Sequence, residues 1–147
     1  MKKLNPYWIS GFVDGEWTFY VWINKQPSMK TWFQVLPEFR VVQHKRDIQL
    51  LNKIRLYFWC WVVRVNHDDR YEYRVRSLDH ISKIIIPFFE KYPLQTVKNR
   101  DFYSFRRIIN KMKLNKHMNM EWIKEILHIA KLMNRRNKVI IEKNVLG

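Results

Sequence analysis

Apolar residues recur along this chain with two periods, and the alternation between those periods marks out its elements. Asn5-Pro6 offers a side-chain acceptor followed by proline at a first helical position, so a helix is expected from there to about Gly15 or Glu16. From Thr18 to Asn24 the period falls to two. Phe19, Val21 and Ile23 take one face, and Thr18, Tyr20, Trp22 and Asn24 the other, which predicts a strand. Trp32 to Gln43 repeats the pattern over a longer strand. Phe33, Val35, Pro37, Phe39 and Val41 lie on its inner face, with Gln34, Leu36, Glu38 and Arg40 opposite. Pro37 points to a sheet edge or a bulge there, because proline cannot donate to a ladder.

The helical period returns between Arg46 and Phe58, through Ile48, Leu51, Ile54 and Phe58. Trp61 to Asn66 and Tyr71 to Arg76 then read as two more strands around a polar turn. In the second of these, Tyr71, Tyr73 and Val75 are inward, and Glu72, Arg74 and Arg76 outward. Ser77 caps a helix with the stripe Leu78, Ile81, Ile85 and Phe88, which Pro87 bends or ends. Thr96 caps another from Val97 to about Met112, and a last helix runs from Met120 to Asn134 after a polar break. The order is αββαββα followed by two helices. This is an α+β fold in which helices cover one face of a four-stranded antiparallel sheet and leave the other open.

That open face is the chain's main chemical prospect. Period-two alternation places Thr18, Tyr20, Trp22, Asn24, Gln34, Glu38, Arg40, Arg64, Asn66, Glu72, Arg74 and Arg76 on it. Mixed Arg, Gln, Asn and Glu side chains on strands match base edges in a major groove, and a two-stranded ribbon fits that groove. Tyr20 and Trp22 are also suited to stacking on unpaired bases. The plain alternative is a sheet face partly solvated and partly covered by a tail or partner.

Charge favours the nucleic acid. The chain carries 28 Lys and Arg against 13 Asp and Glu, a net +15 that works against compaction unless a polyanion offsets it. A second basic region, Arg100, Arg106, Arg107, Lys111, Lys113 and Lys116, also suits phosphate, as does the tail from Arg135 to Lys138. The basic residues follow several elements, which disfavours a single amphipathic membrane-surface helix. No stretch reaches spanning length without charge, and the first residues lack a signal-peptide pattern. At 147 residues the chain makes one domain, residues 1–134, with a basic tail over 135–147. Its single cysteine, Cys60, lies in an apolar run and reads as a buried small hydrophobe. With one cysteine there is neither an intrachain disulfide nor a cysteine zinc cluster. Abundant Lys, Asn and Ile hint at an AT-rich, organellar gene.

The stretch Trp8-Ile9-Ser10-Gly11-Phe12-Val13-Asp14-Gly15-Glu16 resembles the signature helix of the LAGLIDADG homing endonucleases. The run from Phe39 to Asp47 resembles that family's second strand and following helix start. Tyr73 to Arg76 resembles its fourth strand, and Pro87 to Leu94 with Lys98 to Phe102 its later helical region. The resemblance covers roughly nine-tenths of the chain and implies the αββαββα fold already read from the periods. It also implies cutting of long double-stranded DNA sites with short overhangs. With one signature helix, it implies a homodimer paired through that helix, with Gly11 and Ser10 at the contact. Glu16, with Gly15 beside it, then marks the Mg²⁺ site, one acid from each subunit, and Asp14 caps the helix end. Gln43 corresponds to a water-positioning polar residue, Lys98 to a basic residue near the scissile phosphate, and Arg46 to a supplement. Oxygen ligands suit hard Mg²⁺, and the chemistry needs charge neutralised at phosphate and an activated water.

The chain departs from the family where Trp17 replaces the glycine after the acid, and where Trp59 and Trp61 flank Cys60. An indole beside Glu16 is expected to crowd the place where two acids meet metal. Added volume in a packed site costs about 1–3 kcal/mol, and a small displacement removes much of the rate. Two readings therefore stand: a homodimeric Mg²⁺-dependent DNA endonuclease, mitochondrial or otherwise organellar, and a cleavage-inactive binder of structured RNA. The second would be an intron-splicing cofactor or organellar ribosome component, acting as a monomer within a ribonucleoprotein. A transcription-factor-like DNA binder is a minor third.

Overall fold

A computed structural model describes residues 2–29, 31–60, 62–114 and 119–133. The expected basic tail, Trp61, Lys116 and the last residue of the final helix lie outside them. Helix α1, Pro6–Glu16, starts as expected: the Asn5 side chain accepts from the amides of Tyr7 and Trp8 ahead of the first-turn proline. Strands β1, Trp17–Lys25, and β2, Phe33–His44, form a long antiparallel hairpin. Helix α2 spans Ile48–Phe58, and β3, Val62–His67, pairs antiparallel with β4, Arg70–Val75. The sheet order is β1-β2-β4-β3. Among the described residues every pairing is antiparallel, as the alternation implied.

Pro37 sits opposite Val21 on β1, beyond the last residue of β2 that β4 reaches, Phe39. It therefore occupies a local edge of a central strand, where its missing donor breaks no ladder. Pro87 was expected to bend or end its helix, and the helix does not end there. Ser77 caps α3, Leu78–His80, which continues through a π-turn, Ile81–Ile85, into α4, Ile86–Lys91. The wider turn, with the Ile86 amide bonded to the Ile81 carbonyl, relieves the clash a proline ring makes with an α-helical carbonyl. Helices α5, Lys98–Leu114, and α6, Met120–Leu132, pack together and complete the helical layer.

The core lies between that layer and the inner face of the sheet. Trp17, Phe19, Phe39 and Tyr73 meet Phe58, Phe89, Phe102 and Phe105 there, all buried. Phe39 is at its centre, with ring centroids 4.3 Å from Trp17, 5.2 Å from Phe19 and 5.6 Å from Phe89. Phe39→Ala is expected to lower unfolding free energy by about 3–5 kcal/mol, since the surrounding rings fill the void only in part. Urea titration checks this. Cys60 is buried as expected; its carbonyl accepts the Tyr73 hydroxyl, and burial pushes its thiol pKa up.

Candidate active site and nucleic-acid interface

The foot of α1 brings the three expected catalytic side chains together. Glu16 ends the helix and is exposed. Gln43 continues the inward row of Phe39 and Val41 to the end of β2, where the sheet runs out beneath α1. Its Nε2 donates to Glu16 Oε2 at 3.3 Å. Lys98 opens α5, and its Nζ donates to the Val13 carbonyl in the last turn of α1 at 3.1 Å. A cation suits that end of the helix dipole. Burial lowers the Lys98 pKa, and the nearby carboxylates of Asp14, Asp101 and Glu16 offset part of that shift.

Asp14 is fully used within the chain. Its Oδ2 accepts from the Gln95 amide at 2.7 Å, and its Oδ1 from the Thr96 amide and hydroxyl. It thus ties α1 to the loop entering α5, a structural part, but one played in that loop and not as the expected cap of its own helix end. Arg46 is 80% exposed and beside Asp47, so it stands in solvent rather than in this cluster. Among the described residues no three His, Cys, Asp or Glu side chains converge to hold a metal. Glu16 is a single exposed oxygen donor at a helix foot, which makes half a site for a hard cation.

The expectation about Trp17 is corrected. Trp17 is 1% exposed, and its indole packs on Phe39 and Tyr73. Strand alternation begins at that residue, so its ring enters the core while Glu16 stays in solvent. The added volume is absorbed by the core and does not crowd the acid. Ser10 is corrected as well. It is buried, and its hydroxyl donates to the Tyr92 carbonyl at 2.7 Å, so it is not on the helix's free side. Gly11 and Gly15 are exposed, and a Cβ at either would meet nothing within 4 Å. Their smallness answers no contact among the described residues. Beside them Trp8 is 46% exposed and stacks on Phe12 at 5.3 Å, giving α1 an uncovered apolar side.

The open face of the sheet is where alternation put it, but two of its members differ from expectation. Glu38 and Glu72 were expected to be exposed readers and are buried at 0% and 1%. Four arginines cover them. Arg76 Nε is 2.5 Å from Glu38 Oε2, and Arg64 Nε is 2.6 Å from Glu72 Oε1. Arg74 and Arg40 lie at 3.6 and 3.7 Å from Glu72, and Arg40 also at 3.6 Å from Glu38. Asn66 donates to Glu72 at 3.0 Å. The register places Arg40 opposite Arg74 and Arg64 opposite Glu72, so the cluster crosses β2, β4 and β3. Two buried anions thus fix four cations in one layer and leave that layer with a positive excess. Arg–carboxylate geometry of this kind holds guanidinium planes in place.

Further along β1 the Tyr20 and Trp22 rings lie 5.7 Å apart, and the Arg40 guanidinium stands 4.8 Å above Tyr20. Both aromatics are half-buried rather than free platforms. Thr18 pairs with Arg40, and Asn24 with Gln34 at the far end of the hairpin. Sequence reading missed His44, whose Nε2 meets Asp69 Oδ2 at 2.8 Å and whose Nδ1 accepts from the Arg46 amide. That contact locks the turn after Gln43. No sequence spacing signals it, because the two residues meet only through β2–β4 pairing. In the second basic region, Arg106 reaches Glu90 and Lys111 reaches Glu125, while Arg100, Arg107 and Lys113 remain exposed.

Desolvation raises the Glu72 carboxyl pKa, and the hydrogen bonds and charges of Arg64, Asn66 and Arg40 outweigh it, leaving the group below its ordinary 4.5. A carboxylate depressed on folding adds stability above its unfolded pKa, and that part is lost as pH falls through the folded value. Unfolding free energy is expected to fall on acidification below about pH 4.5, less so in Glu72→Gln. Paired urea titrations at stepped pH check this.

Comparison with known proteins agrees with this geometry. The family profile described as LAGLIDADG endonuclease matches residues 9–109. Probable intron-encoded endonuclease 2 of Neurospora crassa is 39% identical over 132 residues, covering 88% of this chain and 29% of the relative. The chain therefore spans under a third of that relative's length. Among solved structures, the homing endonuclease I-TnaI superposes with a TM-score of 0.86 at 53% identity, covering 90% of each chain. The I-SmaMI LAGLIDADG homing endonuclease bound to cleaved DNA superposes at 0.87 with 30% identity, over 90% of this chain and 45% of that one. Sequence profile, relatives and fold all converge on one assignment: the chain belongs to the LAGLIDADG endonuclease family.

Proposed function

We propose that this chain forms one half of a Mg²⁺-dependent, site-specific endonuclease for double-stranded DNA. The observation that carries the reading is the cluster of Glu16, Gln43 and Lys98 at the foot of α1, beside an arginine-rich sheet face. The lack of a three-ligand cluster among the described residues, with Glu16 exposed at the helix foot, and an uncovered apolar side on α1 support pairing through that helix, around Gly11 and Gly15. The second half is another copy of this chain, which gives two Glu16 carboxylates about one axis. Relatives named as intron-encoded endonucleases of fungi, and one named as a protein in an ND4 intron, support an intron-encoded, organellar origin. The burial of Trp17 removes the steric reason for favouring a cleavage-inactive RNA binder.

Glu16 and its counterpart would hold Mg²⁺, which when bound supplies charge neutralisation at the scissile phosphate and an acidified water. The chain's own side chains do the rest. Gln43 donates to Glu16 through its amide nitrogen, which leaves its amide oxygen to accept from a water. Lys98 is held against α1 with its charge beside the same carboxylate, where it stabilises negative charge on phosphate. The arginine layer binds the duplex backbone and fixes its register.

The test is incubation with a randomised duplex library and Mg²⁺, followed by sequencing of new ends. Recurrent double-strand ends at one long sequence, absent under chelation, are expected. Ends no more frequent than in the chelated control would overturn the reading.

A further inference from the structure

Trp59 is a residue that folding alone does not account for. It sits just past α2 in the left-handed backbone region, φ 56°, and its indole is 85% exposed. Left-handed backbone disfavours a residue with a Cβ, and glycine or asparagine is the usual occupant of a helix end of this kind. An outward indole also forfeits the burial an aromatic ring gives to a core. Both choices oppose stability, and an observed outlier of this sort points to function.

Its surroundings indicate which function. Leu51, Ile54 and Phe58 face the sheet, so the opposite side of α2 looks outward, away from the arginine face. There a groove of about 320 Å³ is lined by Lys2, Lys3, Lys53, Leu56, Tyr57 and Trp59, with Leu4 at its base. That volume is within the range of small-ligand clefts. Among the described residues no carboxylate lines the groove. The Lys3 ammonium stands 5.4 Å over the Tyr57 ring, and Leu56 is 43% exposed beside it.

We propose that this groove binds an unpaired polynucleotide strand, with a base stacked on Trp59 and adjacent phosphates held by Lys2, Lys3 and Lys53. An aromatic plane among cations, free of acids, matches the alternation of base and phosphate in a single strand. A duplex does not fit, because its bases are already stacked and present no face to the indole. The lysines read phosphate and the indole reads a base face, so RNA and DNA strands are bound alike. The site lies on the far side of the sheet from the arginine layer and is independent of DNA cutting.

The experiment is fluorescence anisotropy of labelled, unstructured oligouridylate and oligothymidylate, with excess unlabelled duplex occupying the arginine face. Wild-type protein is expected to bind both. Trp59→Ala is expected to weaken binding by about tenfold, the scale of one lost base–aromatic stack. Lys53→Glu should weaken it further and steepen the loss with salt. Duplex binding should be the same in all three proteins. Trp59→Asn, which suits the left-handed backbone, serves as the folding control: it should keep or raise Tm and still lose strand binding. Single-strand binding displaced by duplex, or unchanged in Trp59→Ala and Trp59→Asn, would overturn the proposal. So would loss of self-association in place of strand binding in those variants, which would make the groove a protein contact.

Discussion

Glu16→Gln is expected to reduce double-strand cutting on the order of 10³-fold or more, the scale on which enzymes feel the loss of a preorganised charge-stabilising group, and to leave duplex binding nearly unchanged. Glutamine keeps the volume and can keep the contact with Gln43, but it removes the anion. A neutral amide is a poor ligand for a cation that holds its waters tightly. Folding should hardly change, because the side chain is exposed and its hydrogen bond with Gln43 is a long one at 3.3 Å. Single-turnover cleavage beside gel-shift titration separates the two effects. A variant that cuts at the wild-type rate would show that Glu16 is not the cation's ligand. Loss of binding together with cutting would mean the residue serves the fold or the DNA contact instead.

The second large effect is expected at Glu72 and has an unusual sign. Removing a negative charge from a DNA-binding surface ordinarily tightens binding through the phosphates. Here Glu72→Gln is expected to weaken specific binding by about tenfold, the equivalent of roughly 1.4 kcal/mol, and to leave non-specific binding equal or tighter. The reason is the layer above it. Arg64, Arg74 and Arg40 are all within 4 Å of the Glu72 carboxylate, at 2.6, 3.6 and 3.7 Å. Without the anion these cations repel one another and lose their fixed planes, so the order lost must be restored on binding. Stability should fall too, because a buried anion that several cations shared has gone. Competition titrations with specific and random duplex, run over a salt series, measure the ratio. An unchanged ratio would show that the acid only balances charge.

These two residues show how far the sequence could be read. Sequence reading located both: Glu16 at the end of the first capped helix, through the resemblance of that helix to the family signature, and Glu72 by alternation on the outer row of the fourth strand. The spacing Glu38-x-Arg40 and Glu72-x-Arg74-x-Arg76 was visible as well, and on a strand such neighbours share a face. What it could not reveal was that β4 lies between β2 and β3, which stacks those runs into one layer and buries both acids. A row of charges on one strand reads as solvated, whereas rows on three adjacent strands bury the members that the others cover. Trp17 failed for a related reason. Its place beside the acid implied crowding, but a strand beginning at Trp17 turns its side chain inward.

By itself, then, the sequence determined the order of helices and strands, the inward and outward rows, the charge balance and the helix that carries Glu16, because each depends on neighbours a few residues apart. Only the tertiary structure decided what meets what. Gln43 reaches Glu16 across 27 positions of sequence and Lys98 reaches Val13 across 85, and Asp14 is consumed by a loop 81 residues away. Such contacts are set by how the elements pack on the sheet. No local period encodes that packing, so the candidate site was legible as a set of residues before it could be seen as one place.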